Sequence, residues 1–155
     1  YEVSIGDWSS DVCSSDLLVR PSLLANMRQG RSLTGPQIGR AAVHRTVLFH
    51  RMREFLEEFD ALLLPVAPLP AFPADVQYPE VVAGQPQPDY LGWMRPVCHI
   101  TVTGHPAISV PGGFGPTGTP MGLQIVGRHR GERALLAIAR GFETVTGHGR
   151  RHPEL

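Results

Sequence analysis

Seven prolines fall between positions 65 and 88 (Pro65, Pro68, Pro70, Pro73, Pro79, Pro86 and Pro88), and no other feature restricts the folding of this chain so strongly. Each removes a backbone donor and holds φ at about −65°, so the stretch cannot be regular helix or a central strand. The pattern predicts a long loop from Pro65 to about Asp89. A loop of that length inside a compact domain is either functional or disordered. Regular elements must therefore lie on either side of it.

Before the loop, Arg20 to Gly30 carries Leu23, Leu24 and Met27 at helical spacing, with Gly30 as a stop. Thr34, with Pro36 in the first turn and Gln37 three residues on, has the arrangement of a capping box and starts a second helix. Ile38, Ala41, Leu48, Met52, Phe55 and Phe59 form one stripe along it. The helix runs into Phe59 to Val66, an apolar segment suited to a strand covered on both faces. A helix feeding a buried strand points to α/β architecture. After the loop, Ile108–Val110 and Leu123–Val126 read as strands separated by the turn-rich stretch Pro111 to Gly122, which predicts a hairpin. A last helix starts at about Glu132, with Leu135, Ile138, Ala139 and Phe142 as its apolar stripe and Gly147 as its cap, and a loose basic tail follows.

A chain of 155 residues with 42% hydrophobic content can build one domain core. Glycine (17) and proline (15) together stand well above the usual share of about 12%. Lysine is absent, so all 14 basic residues are arginine, and the formal net charge is zero. No basic block tracks a phosphate backbone, so nucleic acid is not expected as a direct partner. No run of about 18 apolar residues predicts a membrane span. Cys13 and Cys98 make neither a disulfide framework nor a metal-ligand spacing, and a cytoplasmic, reducing location is expected.

Residues 6–17, GDWSSDVCSSDL, have no apolar periodicity, and Asp7 to Leu17 reads codon by codon as a translated sequencing adapter. The expected division is thus 1–17 as non-native and disordered, and 18–155 as the folded part, with a natural polar tail as the alternative. Without residues 1–17 the balance is 14 arginines against 10 acids.

Several groups invite chemistry and are better read otherwise. His44 and His50 lie on different helix faces, and His99 and His105 bracket a segment without fixed spacing, so no metal site is expected. Gly112 to Gly115 has neither a lysine nor a helix behind it and reads as a hairpin turn rather than a phosphate cradle. Glu57 and Glu58 point about 100° apart on a helix and read as a solvated face. Gly30 to Thr34 lacks the second glycine of a nucleophile elbow.

Three segments together resemble the amidase signature family. Asp60-Ala61-Leu62-Leu63-Leu64-Pro65-Val66-Ala67-Pro68 resembles its strand-plus-proline motif, and Thr103-Gly104-His105-Pro106-Ala107-Ile108-Ser109-Val110-Pro111-Gly112-Gly113-Phe114 its N-L-T-G-x-P-A-x-S-x-P-x-G-F signature. Gly118-Thr119-Pro120-Met121-Gly122-Leu123-Gln124-Ile125-Val126-Gly127-Arg128, with Glu132 and Leu135-Leu136, resembles its ending, and the whole match covers about Pro21 to Pro153. Thr101 stands where the family often has asparagine.

The resemblance implies an α/β fold, the C-terminal part of the amidase-signature fold with a mixed sheet flanked by helices, here incomplete. It implies hydrolysis of amide C–N bonds by a serine nucleophile, a second serine in a cis peptide and a lysine base. This chain has no lysine, so the triad is expected upstream of it, leaving no catalytic residue, cofactor or metal here and no activity in the chain alone. Its expected part is to complete the sheet and wall the acyl pocket through Pro65 and Val66 and through a turn carrying Thr101, Gly104 and Pro106. The implied partners are the missing N-terminal part of the same enzyme and a small-molecule amide, with a homodimer of the intact enzyme left open. Two alternatives stand beside this reading: the amidase-like subunit of a tRNA-dependent amidotransferase, and a non-catalytic binding domain or pseudo-enzyme.

Overall fold

The structure, a computed structural model, describes residues 21–151. The expected disorder of residues 1–17 lies outside them. The chain divides into two compact units between Gly39 and Arg40. In the first, helix α1 (Pro21–Arg31) opens on a proline, whose fixed φ suits a first turn, and closes with Arg28 and Arg31 against the negative end of the helix dipole. Helix α2 (Gly35–Glu58) begins in this unit and continues into the second. Half of the capping box forms at its start. The Thr34 N–H donates to Gln37 Oε1 at 2.8 Å, but the Thr34 hydroxyl donates to the same oxygen at 2.9 Å instead of accepting from the helix backbone.

The second unit holds an antiparallel sheet of β1 (Leu62–Pro65), β4 (Ala107–Phe114) and β5 (Pro120–Val126) in the order β1-β5-β4. Helix α4 (Glu132–Thr146) packs on β4 and β5, where Val110, Ile125, Leu135 and Ala139 form the buried cluster. Ile108, Leu123, Ile138 and Phe142 pack against it. The helical stripe of α4 and the alternation of the two strands thus meet as their periods require. The α/β class holds, and the ladders among the described residues are all antiparallel.

The first strand, whose apolar run suits cover on both faces, is not so covered among the described residues. Among the described residues β1 is an edge strand paired with β5 alone, its burial alternates along the strand, and Leu63 is 51% exposed. An apolar run records what a strand could bury, and only its neighbours decide what it does bury. The hairpin also differs from expectation. Its strands continue through Pro111, and the reversal is confined to Gly115–Thr119, closed by the Gly115 N–H on Thr119 O at 2.8 Å. A bulge between Pro111 and Gly113 absorbs the extra residue, and β4 tolerates its proline because it is an edge strand.

Inside the proline-rich stretch, β2 (Val81–Val82) and β3 (Gln85–Pro86) form a minimal hairpin, turned by Ala83 (φ 49°) and Gly84 (φ 76°). Phe72 meets Trp93 edge to face at 5.6 Å, and Asp89 Oδ1 accepts from the Leu91 and Gly92 N–H groups at 2.9 and 2.8 Å. The loop thus carries local order that its prolines did not announce. Helix α3 (Arg95–Thr103) was not expected either. Its signals are Pro96 in the first turn and Gly104 at the end, where φ is 71° and the N–H reaches Thr101 O at 3.3 Å. Thr101 accordingly belongs to the last helical turn, not to a Thr101–Pro106 turn.

Along α2 the buried residue is Leu56 (1% exposed), with Phe49 and Met52 half-buried, so that of the expected stripe Met52 alone is not exposed. Ile38 is 58% exposed, and Phe55 stacks on Phe59 at 4.6 Å on the exposed side. The helix has no basic residue in its last turn, and Arg128 supplies one from 72 residues away, its Nε donating to Leu56 O at 2.7 Å. Among the described residues no helix is long and apolar enough to cross a membrane.

Candidate functional site

The segment linking α3 to β4 is pinned by hydrogen bonds at each step. The Thr103 hydroxyl donates to Ile100 O at 2.7 Å, and the Gly127 N–H donates to Pro106 O at 2.9 Å, extending the β4–β5 ladder by one step. Between them His105 is buried, 7% exposed, with Nδ1 3.1 Å from Thr103 O. A carbonyl oxygen only accepts, so the ring hydrogen of this bond sits on Nδ1 and Nε2 carries a lone pair. Burial lowers the pKa of His105 from 6.5, the bond to Thr103 opposes that shift, and neighbouring His129 adds to it. The ring is therefore neutral at pH 7. His129, in the loop before α4, brings Nδ1 to 3.3 Å from Gly104 O, and Phe49 of α2 lies 5.1 Å from both imidazoles.

These residues border a cavity of about 380 Å3. Thr101 and Gly104 from the end of α3, with His105 and Pro106 after it, form one side, and Gln124, His129 and Glu132 form the other. Gln124 stands in the central strand between Leu64 and Ser109. Strand alternation puts it on the sheet face opposite α4, because Leu123 and Ile125 face that helix. Three of the five residues expected to wall a pocket, Thr101, Gly104 and Pro106, are thus brought together.

The other two lie elsewhere. Pro65 is exposed at the end of β1, and the Val66 N–H donates to Gly122 O at 3.1 Å. The Val66 side chain leaves no room for one at position 122, where a Cβ would stand 2.9 Å from its Cγ2. Gly122 and Ser109 line a second, larger cavity of about 910 Å3 at the hairpin, together with His148 and Arg151. There the Arg151 guanidinium sits 4.2 Å from the Phe114 ring centroid, a cation–π contact. A third cavity of about 290 Å3 adjoins His105 and His129 from the side of α2 and includes Arg53, Glu57 and Arg128.

Sequence reasoning named Gln124 and Glu132 as positions of the family's ending motif without placing them at a pocket, did not single out His129, and weighed His105 only as a metal ligand. The motif marks Gln124 and Glu132 but not that they meet His129 and the Thr101–Pro106 segment, since that meeting runs through the sheet and two loops. Among the described residues no group of three or more histidine, cysteine or carboxylate side chains is placed to hold a metal ion. The first cavity is of small-molecule size and is lined by polar side chains, Thr101, His105, Gln124, His129 and Glu132 among them.

The amidase family model matches residues 10–136. An acylamidase of Rhodococcus erythropolis is 32% identical over 124 residues, which are 79% of this chain and 26% of that protein. A glutamyl-tRNA(Gln) amidotransferase subunit of Brevibacillus brevis is 33% identical over 112 residues, 71% of this chain and 21% of that protein. Among solved structures, an amidase matches with a TM-score of 0.72 at 27% identity over 81% of this chain and 29% of its own. The corresponding glutamyl-tRNA(Gln) amidotransferase subunit from Thermotoga maritima matches with a TM-score of 0.60 at 26% identity, over 78% of this chain and 25% of its own. The chain spans about a quarter of the length of these relatives. With its motifs in order on the hairpin and on α4, and a family model that matches most of its length, the chain belongs to the amidase family.

Proposed function

We propose that this chain is the pocket-walling part of an enzyme that hydrolyses the C–N bond of small amides. The observation that carries the reading is the gathering of Thr101, Gly104 and Pro106, all from the segment that resembles the family signature, around one cavity. In this reading a serine, a second serine in a cis peptide and a lysine base do the bond breaking, and the 155 residues, which hold no lysine, supply none of the base. Pro65 and Val66 contribute to the same enzyme from the end of β1. The partners are the remainder of the enzyme and an amide substrate, in the cytoplasm.

The test joins the chain to the coding sequence upstream of Leu18 and assays both proteins on a panel of small aryl and alkyl amides. The joined enzyme is expected to turn over, and the 155-residue chain alone is expected to stay at background. Turnover by the chain alone that survives repurification, or a joined protein that binds amides without cleaving them, would sink the proposal, the latter in favour of a pseudo-enzyme. Membership of a tRNA-dependent amidotransferase is the second reading, supported by identities as high as those to the acylamidase. The better structural match to an amidase than to the amidotransferase component favours the first. Dependence of activity on a charged tRNA and on other subunits would reverse that preference.

A further inference from the structure

Buried polar atoms in folded proteins nearly always have a hydrogen-bond partner, and each exception asks for a reason. His105 Nε2 is such an exception, buried and without a partner in the link between α3 and β4, residues 104–106. The other ring nitrogen fixes the imidazole, since Nδ1 donates to Thr103 O at 3.1 Å. A second imidazole holds the same link, with His129 Nδ1 3.3 Å from Gly104 O. The two ring centroids lie 6.0 Å apart, and the Phe49 ring of α2 stands 5.1 Å from each.

An incoming proton has one place to go on His105. Nδ1 already carries a hydrogen, so acid must add the proton to Nε2, where it makes a buried cation with an N–H that finds no acceptor. The charged neighbours give no relief. On α2, Arg53 and Glu57 are tied to each other at 2.6 Å, and His50 lies edge-on to Phe49. In the loop before α4, Arg128 is bound to Leu56 O and His129 stands beside the ring, while Glu132 of α4 is exposed. Burial and His129 both make the ring harder to protonate, the bond to Thr103 opposes them, and no carboxylate joins it. In water the same ring takes up its proton at 6.5. Acid therefore favours a state in which the ring has left Thr103 and Phe49 for solvent. Gly104 precedes the ring at φ 71° and gives the link a residue free to turn, while the far end stays tied through Pro106 O to the Gly127 N–H.

We propose that His105 is an acid-operated latch on residues 104–106. Neutral, it holds the link closed; protonated, it releases the link, and with it the side of the 380 Å3 cavity that Gly104 and Pro106 form. The latch depends on this fold alone and not on the amidase reading.

Histidine side chains labelled with 15N report the tautomer and titration of His105 in the 155-residue chain, and amide exchange reports the release. At pH 8 the hydrogen is expected on Nδ1 and the lone pair on Nε2, and the ring should titrate below 6.5. The closed form binds fewer protons than the open one, so the closed population falls as pH drops below 6.5. Corrected for the intrinsic pH dependence of exchange, opening at the Gly104, His105 and Ala107 amides should rise about tenfold per pH unit in that range, one proton being taken up on release. The Leu135 amide of α4 should stay protected. His105→Phe keeps a flat ring against Phe49 and should lose the acid acceleration. A hydrogen on Nε2 at pH 8, titration at or above 6.5, acceleration equal in α4, or acceleration that survives in His105→Phe would overturn the proposal. The first three readings come from the parent chain, so they decide the matter even where His105→Phe does not fold.

Discussion

Helices α2 and α4 both carry an apolar stripe of helical period, yet only α4 buries the one its sequence announces. Leu135 and Ala139 are buried against Val110 and Ile125, whereas Ile38, Val43, Val47 and Leu48 along α2 are exposed and its contact runs through Phe49, Met52 and Leu56. α4 follows β5 by a short loop, so its cover is supplied by the element just made. α2 is followed by β1, an edge strand of four residues that offers little surface. Periodicity specifies that a helix has an apolar face; a neighbour of sufficient area decides whether that face leaves water.

Leu135→Ala provides the largest test of this contrast. Truncating a buried leucine costs about 3 kcal/mol, a large share of a small domain's stability, and thermal or urea melting should show it. Ile38→Ala on α2 should stay within about 0.5 kcal/mol. Equal losses at the two sites would mean that the α2 face is covered in solution and would break the comparison.

Two glycines sharpen it at the next level. Gly104 holds φ at 71° at the end of α3, so Gly104→Ala should cost about 1–2 kcal/mol and loosen the wall formed by Thr101 and Pro106. Gly39 stands within α2 with nothing within 4 Å of where a side chain would begin, so Gly39→Ala should stabilise by up to about 1 kcal/mol. Denaturant midpoints that move in the same direction for both variants would contradict these backbone assignments.

A smaller loss, about 1 kcal/mol, is expected for Arg128→Met, which keeps the aliphatic stem and removes the donor to Leu56 O at the end of α2. Amide exchange should speed up in the last turn of α2 and stay unchanged in α4. Exchange that changes equally in both helices would show that Arg128 acts on the whole unit.

The last test is a slope against pH. His105 has its pKa lowered in the folded state, so above 6.5 the folded and unfolded chains are both neutral there and its contribution is constant. As pH falls below 6.5 the unfolded chain takes up a proton that the buried ring resists, and stability declines until the lowered value is reached. His105→Phe should flatten that part of the pH profile. A profile identical to that of the parent chain would place the imidazole in water.

Elements with local signals were legible before the structure. Thr34 and Gln37 mark the start of α2, and Gly147 ends α4 with φ at 64° and its N–H on Glu143 O at 2.9 Å. The hairpin was legible in kind but not in extent, because the bulge at Pro111–Gly113 lets a proline stay in an edge ladder. α3 was missed although Pro96 and Gly104 bracket it, since its nine residues sit beside a proline-rich stretch that reads as loop. Of the cavity wall, Thr101, Gly104 and Pro106 were reached through the family motif as pocket residues, Gln124 and Glu132 only as motif positions, and His129 not at all.

By itself, then, the sequence determined the class of fold, the caps and breakers, the apolar face of α4 and membership of the amidase family, because each of these is written within a few residues or within one continuous motif. The tertiary structure decided which arc of α2 is buried, that β1 lies at an edge, and that His105 Nε2 and Gln124 Oε1 are left without donors. These depend on contacts such as Arg128 with Leu56, 72 residues apart, and His129 with Gly104, 25 residues apart. A hydrogen bond is made or withheld by positions in space, and no local pattern along the chain encodes that distance.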